Sequence, residues 1–188
     1  MGEVTKGFRL LGTHTAVMSH DDGFIAWYRL EYPRVLAVLA VTAGSLEAAR
    51  EAAAEGFARA YERWDRVSLM GSPAGWTYRV SLNELKRVTR RATRERLLLR
   101  AHASTPTTVV TIDEERADVW KAVAALPRRQ RTAVVLRYVA DMTELAIAEV
   151  MRIHVGTVSA TLNAARRRLG ALLEDTRTGG SRKGAAHG

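Results

Sequence analysis

Apolar residues recur along this chain at helical spacing, and no convincing period-two run suggests a strand. The clearest case lies toward the C-terminus. Val155, Val158, Leu162, Ala165, Leu169 and Leu172 follow one another at steps of three and four, which sets all six on one helical stripe. The other face is polar or small: Thr157, Ser159, Ala160, Thr161, Asn163, Ala164, Arg167 and Arg168. Upstream, Leu145, Ala148, Val150 and Met151 give the apolar face of a shorter helix. Thr143 stands where its hydroxyl can cap that helix, and Ile153 falls in the turn after it. A short helix, a tight turn and a longer helix with a polar face form the pattern of a helix-turn-helix, whose second helix lies in the DNA major groove.

The same spacing organises the rest of the chain. Asp22 caps a predicted first helix carrying Phe24, Trp27, Tyr28, Leu30 and Leu36, which Pro33 kinks or divides. Gly44-Ser45 makes a turn, and Ser45 caps a second helix from about Leu46 to Arg66. Ser68 to Gly75 (SLMGSPAG) reads as a loop by its Gly and Pro content. A third, strongly basic helix runs from about Trp76 to Arg100, with Trp76, Tyr78 and the earlier Trp64 read as core. Periodicity then stops in AHASTPTTVVTI, a linker composition, and a fourth helix near Glu114 to Leu126 leads into Pro127 and a run of arginines. The predicted fold is all-α, with two small helical domains over 21–100 and 114–173 joined by a flexible linker over 101–113. Loose tails are expected over 1–20 and 174–188.

Charge narrows the function. The chain carries 29 Lys and Arg against 20 Asp and Glu, a formal net charge of +9, which calls for a polyanionic partner. Arg128, Arg129, Arg131, Arg137, Arg166, Arg167 and Arg168 gather on the helix-turn-helix unit, a basic surface that phosphate binding needs and folding does not. No long apolar run and no signal peptide is read, so no membrane insertion is expected. The absence of cysteine excludes disulfides, thiolate metal sites and cysteine nucleophiles, and fits a reducing cytoplasm. Five scattered histidines, no metal-ligand spacing, no Gly-rich phosphate loop and no nucleophile motif leave no basis for an enzyme, a cofactor or a metal site.

Several segments together resemble the sigma factors of the extracytoplasmic-function (ECF) class, bacterial transcription initiation factors. Leu126-Pro127-Arg128-Arg129-Gln130-Arg131, Val134-Val135-Leu136-Arg137-Tyr138, Ile147-Ala148-Glu149, Val155-Gly156-Thr157-Val158 and Ala165-Arg166-Arg167-Arg168-Leu169 are similar to region 4 of that family. Glu55 to Tyr61 and Trp76 to Asn83 resemble region 2, more loosely. The resemblance implies core RNA polymerase and promoter DNA as partners, with an anti-sigma factor as a candidate third. Under it, Arg137, Thr157, Ser159, Ala160, Thr161, Asn163, Arg166 and Arg167 are candidates for reading the −35 element. Ser68, Trp76, Arg79, Asn83, Lys86, Arg87 and Arg90 are candidates for the melted −10 strand, the arginines and the lysine as a phosphate track and Asn83 as a base contact. Glu51, Glu55, Phe57, Arg59 and Tyr61 are candidates for docking on polymerase.

Departures from the family pattern qualify these roles. The docking helix has Arg50 in place of an acid and Ala54 in place of Gln. The turn of the helix-turn-helix has Arg152 in place of Gly, which costs on the order of 1 kcal/mol if that residue is left-handed. His154 replaces the usual Ser cap and is read as a surface turn residue. The recognition helix has Ser159, Thr161 and Ala164 where the family often has Lys, Arg and Arg. Either the chain reads a different −35 sequence, or its region 4 contributes little specificity. The alternative function is a helix-turn-helix regulator that never docks on polymerase, although no sensor domain or dimer interface is read.

Overall fold

The computed structural model describes residues 20–99 and 117–183. The expected linker over 101–113 and nearly all of the N-terminal tail lie outside them. Eight helices and no strand are present among the described residues: α1 (His20–Ala43), α2 (Leu46–Tyr61), α3 (Trp64–Val67), α4 (Pro73–Leu99), α5 (Ala117–Ala124), α6 (Arg128–Tyr138), α7 (Glu144–Met151) and α8 (Val155–Lys183). The all-α expectation holds.

Local signals account for several boundaries. The Ala48 N–H donates to Ser45 Oγ at 3.3 Å, and the Ala146 N–H donates to Thr143 Oγ1 at 3.2 Å, so both expected caps form. Gly44, at φ 67, supplies the left-handed residue that closes α1. Other boundaries differ from expectation. Helix α1 begins at His20, so Asp22 sits in the first turn beside Asp21, where it complements the helix dipole rather than capping. Pro33 neither ends nor divides α1; it lies inside the helix on the exposed side. The second helix stops at Tyr61, five residues early, because Glu62 and Arg63 form a turn that swings Trp64 into the core. Helix α4 starts earlier than expected, at Pro73, a residue suited to a first turn because it lacks the N–H that would go unpaired there. Helix α8 continues to Lys183, past the expected boundary at residue 173.

In the N-terminal half, α1, α2 and α4 pack around Val35, Val38, Leu39, Ala53, Tyr78 and Leu85. Phe24, Trp27, Tyr28 and Tyr32 of α1 form an aromatic cluster with Phe57 and Trp64, with ring centroids about 5 to 6 Å apart. In the C-terminal half, Leu136, Ile147, Val158 and Leu162 are fully buried, each contributing about 1.5–3 kcal/mol of hydrophobic stabilisation. Val155 and Leu145, read from sequence as core-facing, are instead exposed. The halves are not independent. Helix α6 packs on α1 and α7 packs on α4, giving one continuous core.

Candidate nucleic-acid interface

The helix-turn-helix is built by α7, its turn and α8. Arg152 closes α7 in the left-handed region, at φ 55 and ψ 54, with its N–H donating to the Ala148 carbonyl. This is the strained non-Gly turn expected from sequence. His154 is exposed just before α8, and its carbonyl accepts from the Thr157 and Val158 N–H groups at 2.9 and 3.1 Å. With Val158, Leu162 and Ala165 buried, Ala160, Asn163, Arg166 and Arg167 are presented to solvent, with Thr157, Ser159 and Thr161 half-buried beside them.

Several of these polar groups already have partners. The Ser159 hydroxyl donates to the carboxylate of Glu144, the first residue of α7. Thr161 Oγ1 donates back to the Thr157 carbonyl at 2.6 Å. Arg166 donates to Asn163 Oδ1 at 2.8 Å and to the Tyr138 hydroxyl at 3.1 Å. Arg137 lies on α6, not on α8. It donates to the Met142 carbonyl at 2.9 Å and holds the connection between α6 and α7, so its first role is structural. Glu144 was not legible as a site residue: its position on the recognition surface follows from the angle between α7 and α8, not from spacing within either.

The −10 candidates lie along α4 and the loop before it. Thr77, Tyr78, Ser81, Leu82, Leu85 and Val88 face the core, while Asn83, Lys86, Arg87 and Arg90 are exposed. Lys86 Nζ donates to Asn83 Oδ1 at 3.4 Å, and Arg87 pairs with Glu84 at 3.0 Å. Tyr78 is core, as expected; burial pushes its phenol well above the ordinary tyrosine range, and its hydroxyl is buried without a partner. Trp76 is half-buried beside the loop. Ser68 is exposed, and so is its neighbour Leu69, at 87% exposure, an apolar side chain held out in solvent before α4. A leucine inside a Gly- and Pro-rich loop is the signal that sequence reading passed over.

The docking candidates occupy α2. Glu51 pairs with Arg91 at 3.1 Å, Glu55 with Arg59 at 2.6 Å, and Arg59 also approaches Glu84 at 3.7 Å. The Glu51–Arg91 and Arg59–Glu84 pairs tie α2 to α4, and the Glu51 and Glu55 carboxylates stay at the surface. Tyr61 is exposed, and its hydroxyl donates to Asp21 Oδ1 at 2.9 Å, which raises its pKa. Phe57 does not belong with them. It is buried under Trp27, Tyr28 and Tyr32, so it supports the docking helix from inside.

Helix α4 and the loop before it face α7 and the turn of the helix-turn-helix across two grooves. A groove of about 590 Å³ is walled by Arg79 of α4 on one side and by Glu149, Arg152 and His154 on the other. A neighbouring one, of about 480 Å³, lies between Gly71, Ser72, Trp76 and Arg79 and the α7 residues Ala146, Glu149 and Val150. Helix α7 thus packs close to the loop that precedes α4. Among the described residues no single helix is long and apolar enough to cross a membrane.

Comparison with known proteins agrees with this architecture. Residues 27–95 match the profile of Sigma-70 region 2, and residues 116–169 match that of Sigma-70, region 4. The chain is 26% identical over 147 residues to the ECF RNA polymerase sigma factor SigW of Bacillus subtilis (strain 168), covering 70% of this chain and 79% of the relative. The fold is similar to the sigma factor RpoE solved with the anti-sigma factor NepR from Bartonella quintana, with a TM-score of 0.67 at 21% identity, over 81% of this chain and 97% of that one. It is also similar to CnrH solved with the cytosolic domain of CnrY, with a TM-score of 0.58 at 22% identity, over 82% and 89% of the two chains. Two regions of one family, matched in order on more than half of the sequence and folded as that family folds, place this chain among the ECF sigma factors, initiation factors that bind core RNA polymerase and direct it to promoters.

Proposed function

We propose that this sigma factor docks on polymerase through the outer face of α2, with Glu51, Glu55 and Arg59 at its centre. Arg79, Lys86, Arg87 and Arg90 then hold the phosphates of the melted −10 strand, while Asn83 and Trp76 meet its bases. The exposed face of α8 enters the major groove at the −35 element. The observation that carries this reading is the division of labour on α4 and α8: each buries an apolar stripe (Tyr78, Leu82, Leu85 and Val88; Val158, Leu162 and Ala165) and offers a cationic and amide-bearing face opposite. Polymerase supplies the chemistry, so this chain needs no catalytic group, cofactor or metal, and it works where polymerase does, in the cytoplasm.

The closed seam bears on regulation. With Trp76 and Arg79 facing α7, the −10 strand and the helix-turn-helix compete for one space, and engagement on a promoter requires the halves to part. A partner that covers both halves, an anti-sigma factor, would hold them closed. The test is run-off transcription with purified core polymerase on a library of random promoters. Enrichment of two spaced elements, lost with Arg79→Ala and with Asn163→Ala, is the expected result. DNA protection by the chain alone, unchanged by core polymerase, would overturn it in favour of a regulator.

A further inference from the structure

One cavity on the seam shares only Lys86 with these roles. It encloses about 370 Å³, within the usual range of about 300–1,000 Å³ for small-molecule sites. Its floor is apolar, from Leu82 of α4 and from Val150, Met151 and Ile153 of the helix-turn-helix. Its rim is cationic, from Lys86 of α4 and from Arg128 and Arg129 of α6. None of the described residues lining it is acidic. Thr42, at the end of α1, also lines it, and its hydroxyl oxygen is buried without a hydrogen-bond partner.

Like charges gathered at a contact between two halves are costly unless something neutral or negative sits among them. Among the described residues, the hydrogen bonds that Arg128 and Arg131 make across this part of the seam are long. Arg128 reaches Thr89 Oγ1 at 3.4 Å and Arg131 reaches the Val41 carbonyl at 3.5 Å. Burial lowers the pKa of both guanidiniums, and the neighbouring Arg90 lowers Arg128 further, so the seam holds these cations against their preference. An apolar floor under uncompensated cations fits one kind of ligand.

We propose that this cavity binds an anionic amphiphile, a compact apolar or aromatic body bearing a phosphate or sulfonate, and that its occupancy clamps the two halves together. The acid group would meet Lys86, Arg128 and Arg129, and the body would cover Leu82, Val150 and Met151. Because the walls come from both halves, a ligand that binds only the closed form stabilises that form by mass action. Lys86 also belongs to the proposed −10 track, so ligand and melted strand would exclude one another. This consequence for transcription rests on the promoter reading above; the binding does not.

The test is titration of the full-length chain with 8-anilinonaphthalene-1-sulfonate, read by fluorescence. The expected result is saturable binding at one site, weakened about five- to tenfold by Lys86→Met and by Arg129→Met and unchanged by Arg167→Met. Retention of full affinity in both seam variants, or equal loss in Arg167→Met, would overturn the proposal. Competition with adenosine monophosphate and with octyl phosphate separates a nucleotide-like from a lipid-like source. Displacement by either supports the phosphate class, and displacement by neither overturns it. The clamp predicts that saturating probe weakens core-polymerase binding of the wild type, with a smaller effect on Arg129→Met; no weakening in the wild type would overturn the clamp. One-site binding in a chain that initiates nowhere would leave the cavity assignment standing and count against the promoter reading alone.

Discussion

Gly56→Ala is the substitution whose effect follows most directly from the packing. Gly56 lies on the buried face of α2 where it crosses α4. A Cβ there would stand 1.9 Å from Ser81 Oγ, 3.1 Å from Ser81 Cβ and 3.4 Å from Ser81 Cα. Rotating Ser81 relieves only the first contact, so the helices must separate by a few tenths of an ångström. Overpacking of this kind costs about 1–3 kcal/mol, against a gain of about 1 kcal/mol from replacing Gly inside a helix. The expected net loss is about 1 kcal/mol, and up to about 2 kcal/mol if the helices resist separation. Ser81→Ala by itself removes a buried hydroxyl without a partner and should be neutral or stabilising by about 1 kcal/mol. The double substitution should be more stable than the sum of the singles by about 1 kcal/mol, because the worst contact is gone. Urea denaturation of the four proteins at equal slope measures all three quantities. Equal or greater stability of Gly56→Ala, or strict additivity, would refute the reasoning. Since α2 carries the proposed docking face and α4 the proposed −10 face, run-off transcription by Gly56→Ala should fall by more than its loss of folded population.

Other outcomes are expected. Arg152→Gly relieves a left-handed non-Gly residue and should raise stability by about 1 kcal/mol in thermal or urea melts, while duplex DNA affinity changes little. Tyr78→Phe removes a buried hydroxyl without a partner and should leave stability unchanged or raise it by about 1 kcal/mol; a loss of 2 kcal/mol or more would mean that the hydroxyl is satisfied after all. Ser159→Lys alone should strengthen duplex binding little, because Glu144 would capture the ammonium. Combined with Glu144→Gln it should steepen the salt dependence of binding by roughly 0.9 in log–log slope, measured by anisotropy across a salt series.

Much of the molecule was legible in sequence because local rules decided it. Ser45 and Thr143 cap as their hydroxyls predict, the stripe from Val158 to Ala165 is buried, and Arg152 takes the strained conformation that the turn demands. What failed depended on the third dimension. Pro33 is accommodated inside α1 on its solvent side, the second helix gives way at Glu62 so that Trp64 can join the aromatic cluster, and Phe57 proves to be interior. Leu145 and Val155 sit at apolar positions by periodicity, yet as the second residue of α7 and the first of α8 they line an open groove instead of the core. The site was less legible still. Composition located the cations but not their partners, and the pairings of Ser159 with Glu144, Arg166 with Asn163 and Tyr138, and Arg137 with the Met142 carbonyl decide which groups are available to DNA. The seam between α4 and α7 joins residues some seventy positions apart, and no local pattern announces it.

Docking on polymerase through α2 is the step on which the proposed role of this chain depends. Fluorescence titration of the labelled full-length protein with core RNA polymerase tests it most directly, with Glu55→Lys beside the wild type. Glu55 sits at the surface in a half-exposed pair with Arg59, so its replacement should leave folding within about 1 kcal/mol and act on docking alone. Tight, saturable binding by the wild type and at least a tenfold loss in Glu55→Lys are expected. Undiminished binding by Glu55→Lys would contradict docking through α2, and no wild-type binding alongside intact affinity for duplex DNA would contradict the initiation role itself.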